Sequence, residues 1–150
     1  MNQNEINQLS DKQLIWACAQ PLIWQVRGKD PLTKAQYMKT LSEAQRALFL
    51  FQVMFGHAHH GMALFFQQID YIAESMDFWA ALKSAMRYFE DADMLALIKI
   101  MESAYSAFKQ ESLISLDELD EQYNLRIPAT LGLIGNCIRN NPAAFMEPEK

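Results

Sequence analysis

Twenty consecutive residues, Ala47 to Phe66, carry no formal charge. A run of that length either crosses a bilayer as one helix or forms the middle of a helical core. Its centre decides between the two. Gly56-His57-Ala58-His59-His60-Gly61 sets three imidazoles between two glycines, and imidazoles at the middle of a lipid-facing helix are costly. The run therefore reads as two buried helices that meet at a break. Ser42-Glu43-Ala44-Gln45 opens the first with the pattern of a capping box. From Ala47 to Phe55 that helix is apolar nearly all round, with Gln52 the one interruption. A helix apolar on every side belongs at the centre of a bundle.

The flanking segments read as helices too. Ser10-Asp11-Lys12-Gln13 is a second capping box, and Leu14, Ile15, Cys18 and Leu22 follow it on one face. Pro21 is expected to kink or end this helix. Gly28 and Asp30-Pro31 mark a connection, after which Thr33 is expected to cap a short helix through Lys39. Asp77 precedes Phe78, Leu82, Ala85, Met86 and Phe89 at helical spacing. Asp91 and Asp93 precede Met94, Leu97, Ile98, Met101, Tyr105 and Phe108. Ser115 is expected to cap a short acidic helix over Leu116 to Tyr123. Ile127-Pro128 then starts a last helix that Asn140-Asn141-Pro142 stops. No window alternates with period two. The fold class expected is all-α, a single-domain bundle of about six to eight helices. Residues 10–146 form the domain, 1–9 a disordered or extended N-terminus and 147–150 a tail. The expected core includes Leu48, Phe51, Phe55, Phe65, Leu82, Phe89, Leu97, Ile98, Met101, Leu119 and Ile134, with Trp16, Trp24 and Trp79 in the core or at its edge.

A chain of 150 residues buries enough surface to stand without disulfide or metal. Cys18 and Cys137 make no CxxC pattern and read as buried thiols. Met1 to Ser10 is polar and acidic, with no apolar stretch after a positive start, so no secretory signal is read there and a soluble, cytoplasmic protein is expected. The net charge of −5 is unevenly spread. Residues 1–56 hold six bases and four acids, residues 70–121 four bases and twelve acids, and residues 122–150 three bases and two acids. Such a field repels nucleic acid and attracts basic partners.

Reaction chemistry finds little footing. His57 and His60 are three apart, but no Cys, Asp or Glu nearby supplies a third and fourth ligand, and no HExxH is present. No metal or other cofactor is expected at His57, His59 or His60. There is no GxSxG elbow and no phosphate-cradling loop; Gly132 and Gly135 lie in an apolar segment and read as points of close helix packing. The acids form three groups: Asp117, Glu118, Asp120 and Glu121; Glu90, Asp91 and Asp93; and Asp70, Glu74 and Asp77. Asp117, Asp120 and Glu121 fall at spacings that align carboxylates on one helix face.

Several of these segments resemble the bacterial DNA-mimic-protein family, a group mostly of unknown function. Leu41-Ser42-Glu43-Ala44-Gln45-Arg46-Ala47-Leu48-Phe49 is similar to the start of that family's central helix. Gly61, Phe65 and Phe66 match the segment that follows it. Leu116 to Tyr123 resembles its leucine–aspartate–aromatic element, and Ile138 to Phe145 its closing helix and tail. The resemblance spans roughly residues 10–148. It implies an all-helical fold, no catalytic residues, pairing as dimers, and surface carboxylates that stand in for phosphates to occupy a basic or DNA-binding protein.

Three readings remain open. One is a non-enzymatic acidic module that sequesters such a partner, with no direct nucleic-acid binding and no membrane. Another is an immunity-type or regulatory protein that binds by shape and apolar contact. The third is a histidine-using metalloenzyme.

Overall fold

The computed structural model describes residues 1–111 and 115–146. Among them are α1 (Gln3–Gln8), α2 (Asp11–Val26), α3 (Pro31–Thr40), α4 (Glu43–Ala58), α5 (Met62–Ala73), α6 (Phe78–Tyr88), α7 (Ala92–Lys109), α8 (Asp117–Asn140) and a closing 3-10 turn, Pro142–Ala144. No strand occurs among the described residues. The described residues form an all-α bundle of eight helices.

Both capping boxes form. Ser10 and Gln13 exchange side-chain-to-backbone bonds at the start of α2, and Ser42 and Gln45 do the same at α4. The uncharged run becomes α4 and α5, separated at Gly61, whose φ of 105° turns the chain. Only glycine adopts that conformation without strain. No helix is long and apolar enough to cross a membrane among the described residues.

Helix packing explains why α4 carries apolar residues all round. It lies between α2 on one side and α6 on the other, with α5 folded back against it. Five helices close into a ring of neighbours: α2 against α4, α4 against α6, α6 against α7, α7 against α8, and α8 back against α2. Phe65 and Phe66 of α5 are fully buried and meet Phe78 and Trp79 of α6 and Tyr105 of α7 edge-on. Such pairs add about 0.5–1.5 kcal/mol each beyond their area burial. The seam between α2 and α8 is tight: a Cβ on Gly135 would stand 2.1 Å from Asp11 Oδ1. There the Asp11 carboxylate pairs with Arg139. Gly135 is thus a point of close helix packing.

Several local expectations are corrected. The N-terminal nine residues are not disordered or extended: Asn2 and Glu5 form a capping box for α1, which buries Ile6. Asp30, not Thr33, caps α3; its Oδ1 accepts from Thr33 N at 2.7 Å, and Pro31 takes the first helical position. That bond holds the Asp30 carboxyl below its usual range. The acidic helix and the last helix are one continuous α8, with Pro128 inside it, and α2 likewise runs past Pro21. Both prolines are exposed, so the carbonyl each leaves free, one turn back, faces water instead of the core. Asp77 occupies the N-cap position of α6 with φ 47° and makes no capping bond. Trp79 is buried, but Trp16 and Trp24 are 41% and 57% exposed, because both fall off the arc that Leu14, Ile15, Cys18 and Leu22 turn inward. The remaining expected core residues are buried, except for partly buried Phe55. The tail at 147–150 lies outside the described residues.

Candidate functional site

Burial divides the ten acidic candidates. Asp91 is 1% exposed. Its carboxylate accepts from Met94 N at 3.0 Å, Arg126 Nη2 at 2.6 Å and Thr130 Oγ1 at 2.6 Å. It therefore leaves the expected acidic face and serves as an internal joint between α7 and α8. Asp93 reaches the other arm of the same guanidinium, at 3.3 Å. Asp70 accepts the Tyr105 hydroxyl and pairs with Lys109 at 3.2 Å. Those two contacts, the tyrosine first, hold its carboxyl below the usual range. Asp120 turns inward and accepts from Met62 N at 2.7 Å. It supplies α5 with the cap that Gly61 has no side chain to give.

Asp117, Glu118, Glu121, Glu90, Glu74 and Asp77 are exposed, and so are Asp70 and Asp93 despite their ion pairs. They do not gather at one place. Asp93 and Lys109, the partner of Asp70, are sixteen residues apart on α7, about 24 Å at 1.5 Å per residue. The Glu90–Asp93 group and the Asp70 group thus mark opposite ends of that helix.

The histidines also separate. His59 and His60 lie exposed on the α4–α5 turn with ring centroids 3.8 Å apart. His57 is half-buried on α4 and faces the other way, into a cleft. Among the described residues no three His, Cys, Asp or Glu side chains stand close enough to share a metal ion. Cys18 is buried, and burial pushes its thiol up to about 11, which leaves it a poor nucleophile.

One cleft brings convergent polar groups together. It encloses about 540 Å³ between α2, α3, α4 and α5, within the range of small-molecule sites. Its walls are apolar: Ile23 and Val26 from α2, Phe49 and Val53 from α4, and Ile69 and Ile72 from α5. Gly56 keeps the α4 wall low; a Cβ there would meet nothing nearer than Gln52 Nε2 at 3.8 Å. Trp16 stands at the edge, and Gly28, with φ 76°, turns the chain from α2 toward α3.

Gln52, His57, Gln68, Tyr71, Lys34 and Arg27 bring polar atoms to this apolar space. Lys34 Nζ donates to the Tyr71 hydroxyl at 2.6 Å and lies 4.8 Å from that ring's centroid. Burial lowers the basicity of His57, opposed in part by Gln68 and assisted by the charges of His60, His59 and Lys34. Gln68 lies close enough to favour the protonated imidazole, yet its Oε1 is shut off from solvent with no hydrogen-bond partner of proper geometry.

Of these residues only His57 was a candidate on sequence grounds. Arg27, Lys34, Gln52, Gln68 and Tyr71 come from four helical neighbourhoods, and spacing along the chain does not connect them. One signal was present: Gln52 and His57 are the polar interruptions of an otherwise apolar helix, and Gln68 follows in the next. Comparison of the chain with family models, with curated proteins and with solved structures gives no match.

Proposed function

We propose that the protein is a non-enzymatic binding protein whose ligand occupies the cleft between α2, α3, α4 and α5. One observation carries this reading: half-buried His57 and the Lys34–Tyr71 pair border an apolar space large enough for a small molecule. Binding is favoured over catalysis by the lining itself. Among the described residues no serine, threonine, cysteine or carboxylate borders the cleft, so His57 has neither a hydroxyl or thiol of that kind to activate nor a carboxylate to orient it. The neutral fluorophore N-phenyl-1-naphthylamine tests the site. Saturable one-to-one binding is expected, lost on Gly56→Leu, which fills the cleft from α4. Binding untouched by that substitution would overturn the reading.

A second reading keeps the acidic surface. Asp117, Glu118 and Glu121 stand exposed at the start of α8 without an ion-pair partner among the described residues. With the resemblance to DNA-mimic proteins, they support capture of a basic or DNA-binding protein. Asp120 does not belong to that set because it caps α5. Reversal of the three exposed acids to lysine should weaken such a partner and remove the salt dependence of its binding. Partner affinity unchanged by the reversal would dismiss it.

A further inference from the structure

The protein as a whole carries a net charge of −5, yet the cleft has the opposite character. Among the described residues no aspartate or glutamate lines it, while Arg27 and Lys34 both border it. Elsewhere four cations find carboxylates. Arg126 holds Asp91 and Asp93, Arg139 holds Asp11, Lys83 holds Glu102, and Lys109 holds Asp70. Among the described residues neither Lys34 nor Arg27 has such a partner. Lys34 is partly buried, and its ammonium donates to a neutral phenol. An ammonium carries three donors, so two remain for something else. The Tyr71 oxygen at 2.6 Å and the ring beneath it hold that ammonium in place. A positioned, partly desolvated cation attracts an anion more strongly than one free in water, because the effective dielectric is lower.

Most of the remaining lining is apolar. Ile23, Val26, Phe49, Val53, Ile69 and Ile72 offer no hydrogen bonds from their side chains, so a sugar or a nucleotide would lose most of its hydration against them, with Gln52, His57 and Gln68 alone to replace it.

Resting on the cleft as the ligand site, we propose that the ligand is an organic monocarboxylate with an apolar body. Its carboxylate lies at the mouth against Lys34, with Arg27 beside it, and its body lies against the α2, α4 and α5 walls.

The test compares 1-naphthaleneacetate with 1-naphthaleneacetamide, which has the same body without the charge, by isothermal titration calorimetry on the full chain. The acid is expected to bind about tenfold tighter or more, the size of one charge-assisted hydrogen bond. Lys34→Gln should remove that preference while leaving the amide's affinity as it was, and Arg27→Gln, on an exposed residue, should reduce it less. Thermal unfolding of each variant checks that the fold is kept; if Lys34→Gln fails to fold, Arg27→Gln and the salt dependence of acid binding carry the test. Equal affinity for acid and amide would overturn the carboxylate assignment and leave the cleft reading standing. So would binding of neutral N-phenyl-1-naphthylamine without binding of the acid. Failure of all three compounds to bind would remove the cleft reading and this proposal together. Acid binding unchanged in Lys34→Gln would overturn the role given to Lys34.

Discussion

Replacing Asp91 with alanine separates an exposed acid from a structural joint. As one of several surface carboxylates, Asp91 would cost no more than about ±0.5 kcal/mol on removal. Its place in the fold implies far more. The substitution takes away the N-cap of α7, worth about 1 kcal/mol. It also strands the Thr130 hydroxyl, fully buried and now bonded to Asp91 Oδ2 at 2.6 Å; an orphaned buried hydroxyl costs about 1–3 kcal/mol. Arg126 loses its closer partner, and breaking a buried pair from one side typically costs about 3–5 kcal/mol. These contributions overlap, and Arg126 keeps 26% side-chain exposure and its bond to Asp93. A loss of about 3–4 kcal/mol follows, near the lower end of that range. For a domain of this size it lowers the melting temperature by roughly 6–16 °C. Urea unfolding followed by circular dichroism at 222 nm gives the free energy, with Asp117→Ala as the exposed control. The double variant Asp91→Ala/Thr130→Val should recover part of the loss, because it removes the stranded hydroxyl. A loss under about 1 kcal/mol for Asp91→Ala, or no recovery in the double variant, would refute the joint.

Asp120→Ala should destabilise by about 1 kcal/mol through the lost cap on α5, whereas Asp117→Ala stays near zero; equal small effects in urea unfolding would show that the bond to Met62 N contributes nothing. The Tyr123 hydroxyl is buried without a partner among the described residues, and burial pushes that phenol above its ordinary value. Tyr123→Phe should therefore leave stability unchanged or raise it by up to about 1 kcal/mol, and a clear loss would reveal a hydrogen bond. His57 holds its proton less tightly folded than at its ordinary value of 6.5, chiefly because it is buried. Below 6.5 the unfolded chain takes up that proton first, so the His57 contribution to stability falls as pH drops through 6.5 toward the depressed folded value. His57→Gln should flatten that part of the pH–stability curve, and an unchanged slope would dismiss the effect.

The fold was legible wherever local chemistry and periodicity agreed. Ser10 with Gln13, Ser42 with Gln45, and Asp91 ahead of Met94 all cap helices where the pattern says they should. The misreadings share a cause: the outcome depended on which side of a helix met solvent. Pro128 reads as a start because its ring removes a backbone donor, yet on the exposed face α8 passes through it. Asp91 and Asp117 look alike in sequence, both acids at a helix start, but only the first meets an arginine 35 residues away. The cleft was the least legible part. Lys34 and Tyr71 lie 37 residues apart, and no local pattern announces that an α3 lysine will rest on an α5 ring.

The joint between Asp11 and Arg139 spans 128 residues. It sits where α8 returns to α2, so the ring of helices closes only after nearly the whole chain exists. The logarithmic part of the loop entropy for a span of that length is roughly 4 kcal/mol, to be repaid by contacts that form together at the end. During synthesis α2, α4, α6 and α7 emerge first as an open crescent, with the sides of α2 and α7 that α8 covers still waiting for it. Truncation before α8 would leave that crescent unsealed, and chains cut there should associate with one another or be degraded, even though every earlier helix is complete.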